Sequence, residues 1–79
     1  SLIERTPERD LLPMARSFDI GVTAWSPLGA GVLTGKYNKS EPAEGRLSDP
    51  NTSRPVTEKQ IAIAQTVIEI AEEIGRLPA

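Results

Sequence analysis

The chain has no cysteine and no histidine. The first absence excludes a disulfide and a thiolate nucleophile or metal ligand, and it fits a reducing compartment. The second removes the commonest general base and the commonest metal ligand. Aromatic residues are scarce: Phe18, Trp25 and Tyr37 are the whole set. No apolar run approaches the ~20 residues that span a bilayer, and the N-terminus lacks the basic-then-apolar pattern of a signal peptide. Nine basic and 11 acidic residues are interspersed and leave a net charge of −2. That is not the electrostatic footprint of a nucleic-acid binder. The expectation is a soluble, cytoplasmic protein with no membrane or nucleic-acid partner and no metal site. With 79 residues, a chain buries only roughly 60% of the surface its unfolded form exposes, so stability on its own would be marginal.

What is present reads as helix, strand, loop, helix. Thr6-Pro7-Glu8 carries a helix-start signal, a hydroxyl followed by proline and an acidic residue. Pro13 would break a helix begun there, so the helix proper is capped at Asp10, which leaves Pro13 in the first turn. Leu11, Leu12, Ala15 and Phe18 then share one face, and residues 19–21 end the element. Ile20 to Trp25 is an uncharged, β-rich run without polar alternation, the pattern of a strand buried on both faces. Its edges would lack partners in so short a chain, which invites self-association. Residues 38–56 are rich in Asn, Ser, Pro, Glu and Gly and read as a long loop. Thr57-Glu58-Lys59-Gln60 is a capping box. It opens a helix whose Ile61, Ala64, Val67, Ile68, Ala71 and Ile74 keep the helical period, with Ile63 and Ile70 widening the apolar face. Gly75 is placed to end it. One strand between two helices is a piece of an α/β fold, with no complete domain in residues 1–79.

The stretch that carries function is Ile20 to Tyr37, in which the strand breaks at Ser26-Pro27 into a glycine-spaced loop ending in Gly35-Lys36-Tyr37. Such a loop can turn backbone N–H groups toward an anion and let the chain approach it closely. Each residue also has a plainer reading. Trp25 could be core, Ser26-Pro27 could simply stop a strand, Gly29 and Gly31 could make a tight turn, and Lys36 and Arg46 could be solvated charges. Neither standard phosphate motif is met. Thr34 stands where G-x-G-x-x-G needs its last glycine, and Gly31 and Gly35 are too close for a P-loop, with Tyr37 in place of its hydroxyl residue.

Three strings taken together are more specific: residues 6–15 (TPERDLLPMA), 21–29 (GVTAWSPLG) and 31–37 (GVLTGKY). In this order they resemble the aldo-keto reductase superfamily, nearest to its bacterial and potassium-channel-β-like branch, over almost the whole chain. The resemblance implies an α/β fold, a fragment of a (β/α)8 TIM barrel comprising helix 6, strand 7, the cofactor loop and helix 7. It also implies NADP(H) as cofactor. The pyrophosphate would be held by Ser26, within a cradle lined by Trp25, Pro27, Leu28, Gly29 and Ala30. Lys36 would lie near the phosphates, and Arg46 would reach in from the long loop. Active sites of such barrels lie at the C-terminal ends of their strands.

The same resemblance implies what these residues do not supply. The superfamily's Asp, Tyr, Lys and His tetrad comes from earlier strands, so no catalytic residue is assigned here and Tyr37 belongs to the loop. The tyrosine that stacks on the nicotinamide would precede Ser1, and a second phosphate-binding cluster would follow Ala79. The implied function is a part of an NADP(H)-dependent oxidoreductase that reduces aldehydes or ketones, small carbonyl compounds, by hydride transfer. The 79 residues alone are expected to be inactive. The alternative is part of a cofactor-sensing regulatory subunit like the potassium-channel β proteins.

Overall fold

In the computed structural model, residues 1–38 and 55–79 are described. The first helix, α1, spans Leu11–Ser17, and the second, α2, spans Glu58–Glu73. Single 3-10 turns occupy Thr6–Glu8, Val32–Thr34 and Lys36–Asn38.

The helix starts follow local chemistry. Thr6–Glu8 closes only one 3-10 turn, because the Thr6 hydroxyl donates to the Glu4 carboxylate instead of capping a helix. The Thr6 N–H donates to the same carboxylate at 2.9 Å. Asp10 then stands at the N-cap of α1, although its side chain makes no capping bond. Pro13 is the third helical residue, where no intrahelical N–H bond is lost. At α2 the capping box is complete. The Gln60 N–H donates to Thr57 Oγ1 at 3.2 Å, and the Thr57 N–H donates to Gln60 Oε1 at 3.1 Å.

Both helices end in the same way. After α2, the Arg76 N–H reaches the Ala71 carbonyl at 2.8 Å and the Gly75 N–H reaches Glu72 at 3.2 Å, with Gly75 left-handed at φ 68°. After α1, the Ile20 N–H reaches Ala15 at 2.8 Å and the Asp19 N–H reaches Arg16 at 3.4 Å, with Asp19 left-handed at φ 53°. These are Schellman closures, one using glycine and one using aspartate.

Two expectations are corrected. The run from Ile20 to Trp25 forms no strand, and no strand occurs among the described residues. A strand exists only through a ladder with a second strand, and this segment has none among the described residues. It is not buried either: Ile20, Val22 and Trp25 are 54%, 60% and 89% exposed. The apolar face of α1 is likewise open, since Leu11, Leu12 and Phe18 are exposed and Ala15 alone is buried.

The core sits instead where α2 packs on the turns at Val32–Thr34 and Lys36–Asn38. Its buried residues are Val32, Leu33, Ala64 and Ala71. Ile61, Ile63, Val67 and Ile68 are half-buried around them, while Ile70 and Ile74 remain exposed. Small residues at Ala64 and Ala71, seven apart on one face, let the turns come close to the helix. Of the long loop expected at 38–56, Asn38 belongs to a 3-10 turn, and residues 39–54 lie outside the described residues.

Candidate functional site: the loop from Trp25 to Lys36

The loop is built by repeated left-handed residues. Ser26 has φ 50°, and the consecutive Gly29, Ala30 and Gly31 have φ 58°, 55° and 97°. A left-handed conformation costs an L-residue ~1–2 kcal/mol, so Ser26 and Ala30 are held there by their surroundings. Local hydrogen bonds do the holding. The Gly29 N–H donates to Ser26 at 3.0 Å, and the Gly31 and Leu33 N–H groups both donate to the Leu28 carbonyl, at 3.2 and 3.1 Å. The Val32 N–H donates to Gly29 at 3.2 Å. Strained non-glycine residues of this kind concentrate at ligand clamps.

The second half of the loop folds back on the first. The Gly31 carbonyl accepts from the Thr34 N–H at 3.1 Å and from Thr34 Oγ1 at 2.6 Å. Gly35, with φ 82°, then turns the chain so that Lys36 returns over Gly31. A Cβ at Gly31 would stand 2.8 Å from Lys36 Cε and 3.1 Å from Nζ. The Lys36 ammonium also lies 5.3 Å from the centre of the Tyr37 ring, within cation–π range.

Trp25, Ser26, Pro27, Leu28, Ala30, Gly31 and Lys36 together line an open cleft of ≈ 570 Å³. Six of these are residues that the sequence singles out, and Gly31 is the addition. Its signal in the sequence was the glycine spacing itself, which reads equally well as a tight turn. Gly29 lines an adjoining cavity of ≈ 420 Å³ with Ile3 and Glu4, and Trp25, Ser26 and Ala30 line both. Arg46 lies outside the described residues. Lys36 is the charged side chain of the cleft, and the N–H groups of Leu28 and Ala30 have no acceptor among the described residues. A cation and an exposed indole around one cleft, with N–H groups left unpaired on two of its lining residues, suit an elongated anionic ligand with a planar or apolar part. Among the described residues there is no group of three metal-ligating side chains. No helix among them is long and apolar enough to cross a membrane.

The family model of the aldo/keto reductase family matches residues 1–79. The chain belongs to the aldo/keto reductase family. A putative voltage-gated potassium channel subunit beta of Schizosaccharomyces pombe is 41% identical over 78 residues, covering 91% of this chain and 23% of that protein. A probable aryl-alcohol dehydrogenase of Saccharomyces cerevisiae is 31% identical over 78 residues, covering 95% of this chain and 23% of that protein. An uncharacterized oxidoreductase of Bacillus subtilis is 58% identical over 40 residues, covering 51% of this chain and 12% of that protein. This aldo/keto reductase chain thus spans less than a quarter of each of these three relatives. No solved structure matches it. The family implies a (β/α)8 barrel, whereas the described residues of this chain form helices and 3-10 turns with no strand.

Proposed function

We propose that residues 1–79 are the segment of an NADP(H)-dependent aldo/keto reductase that runs from helix 6 through the cofactor loop to helix 7. In this reading the cleft from Trp25 to Lys36 takes the pyrophosphate and adjoining ribose of the cofactor. The observation that carries it is the return of Lys36 over Gly31, which puts a cation at one wall of a cleft otherwise lined by Trp25, Ser26, Pro27, Leu28 and Ala30. The residues present fit the group. The Lys36 ammonium and the Ser26 hydroxyl would meet phosphate oxygens, the Leu28 and Ala30 N–H groups would donate to them, and the Trp25 indole would shield one side. When bound, the cofactor supplies the hydride that reduces an aldehyde or ketone. The role of this segment is to bind and orient it, in a cytoplasmic protein acting on a small carbonyl substrate. In this reading the proton donor to the carbonyl comes from earlier strands of the barrel, with Tyr37 part of the loop, and the segment alone does not turn over substrate.

The test is a fluorescence titration of NADPH on the full protein that carries this sequence. Lys36→Ala raises the Kd by roughly tenfold or more, the size of a lost charge-assisted hydrogen bond at ~1.5–3 kcal/mol. An unchanged Kd removes the cradle from this loop. The names of the fission-yeast relative and of an Arabidopsis thaliana relative, a probable voltage-gated potassium channel subunit beta that is 37% identical over 73 residues, support a second reading. In it the protein senses the cofactor as a regulatory subunit. Tight NADPH binding with no carbonyl-dependent oxidation of it would favour that second reading.

A further inference from the structure

The turn that carries Lys36 is attached to α2 at both of its ends. At its start, Gly35 lies against Ile68 so closely that a Cβ there would be 2.8 Å from Ile68 Cδ1. At its end, Asn38 Nδ2 donates to the Ile61 carbonyl at 3.0 Å and to Gln65 Oε1 at 3.3 Å. The turn closes on itself through the Asn38 N–H, which donates to the Gly35 carbonyl at 3.0 Å. Ile61, Gln65 and Ile68 stand at i, i+4 and i+7 on one face of α2. Lys36 lies between the two attachments, with its side chain directed back over Gly31.

We propose that Asn38 is a positioning residue for the anion cradle, tethering the Lys36 turn to α2 through the Ile61 carbonyl and Gln65, and so setting where the Lys36 ammonium stands in the cleft. The proposal rests on the cradle reading given above and adds the residue that keeps the cradle's cation in place. The amide is used with one orientation only. Both hydrogens of its NH2 group have acceptors, and reversing it would set Oδ1 against the same two oxygens. The buried Oδ1 has no hydrogen-bond partner among the described residues, so among them the side chain is held by its donors. The tether joins positions 23 and 27 residues apart, and it does not touch the cleft itself. Asn38 therefore acts on a ligand only through Lys36.

That dependence defines the experiment, a double-mutant cycle on the full protein with NADPH affinity as the readout. Asn38→Ala alone raises the Kd roughly three- to tenfold, the effect of one lost tethering hydrogen bond. In a Lys36→Ala background the same substitution has no further effect, because the group it positions is gone. A residue that merely supports the fold would weaken binding equally in both backgrounds, and that result, or an unchanged Kd for Asn38→Ala, overturns the proposal. Should Asn38→Ala fail to fold, the cycle is run with Gln65→Ala, which removes one acceptor from an exposed helix position. Coupling to Lys36→Ala then supports the proposal, and its absence overturns it. A neutral Lys36→Ala would instead discard the cradle reading, a failure distinct from that of the tether.

Discussion

The Lys36 side chain occupies the space that a side chain at Gly31 would need. A Cβ at Gly31 would lie 2.8 Å from Lys36 Cε, and the backbone there, at φ 97°, is one that L-residues avoid. The glycine is thus required twice, once by its own conformation and once by the lysine folded over it.

Gly31→Ala tests both requirements. The left-handed backbone costs ~1–2 kcal/mol of stability, to be read from the midpoint of urea unfolding at constant m. The new methyl also displaces the lysine, so NADPH affinity falls by more than stability alone explains. A variant that keeps full affinity would show that Lys36 does not need this path.

Gly35→Ala is expected to cost more. Its Cβ would meet Ile68 Cδ1 at 2.8 Å and Cγ1 at 2.9 Å, and Ile68 is half-buried against the loop. To the backbone term of ~1–2 kcal/mol is added an overpacking term of ~1–3 kcal/mol. Ile68→Ala opens the space, so the double variant should be less destabilised than the sum of the single ones. Strict additivity in chemical denaturation would contradict the contact.

Thr57→Ala removes the capping box at α2 without touching the cleft. The loss is about 1 kcal/mol, within the range of 0.5–2 measured for such caps, and Thr57→Ser restores most of it. Thermal unfolding followed by far-ultraviolet circular dichroism reports the change.

Protonation gives an independent check near the N-terminus. The Arg5 guanidinium, hydrogen-bonded to the Glu8 carboxylate with one contact at 2.7 Å, holds Glu8 below the ordinary glutamate range. Hydrogen bonds from Thr6 do the same for Glu4. A carboxyl whose folded pKa is depressed contributes stability above its unfolded pKa, and that contribution is lost as pH falls through the folded value. Carbon-13 titration of Glu8 should therefore give a midpoint below that of a free glutamate, and Arg5→Gln should return it to the ordinary range. Both groups are exposed, so the effect on overall stability is small and screened by salt.

Legibility from sequence followed the range of the interactions. The box at Thr57 and Gln60, the stop at Gly75 and the place of Pro13 depend on residues within one helical turn, and each was readable from the letters. The left-handed Asp19 was not, because aspartate tolerates that conformation without announcing it. The shape around the loop was not legible, since nothing in the letters says that Trp25, Ser26 and Ala30 stand between two cavities, one shared with Gly29 and one with Lys36.

The sequence by itself determined the helix boundaries, the Ser26–Lys36 loop and membership of the aldo/keto reductase family, because these rest on local chemistry and on the order of short strings. Tertiary structure alone decided that Ile20–Trp25 pairs with no strand among the described residues. It also decided that the loop packs on α2 through Gly35 against Ile68 and Asn38 against Ile61. The physical reason is separation along the chain: a ladder or a tether across more than 20 residues leaves no periodic trace, and it forms only where folding brings its partners together.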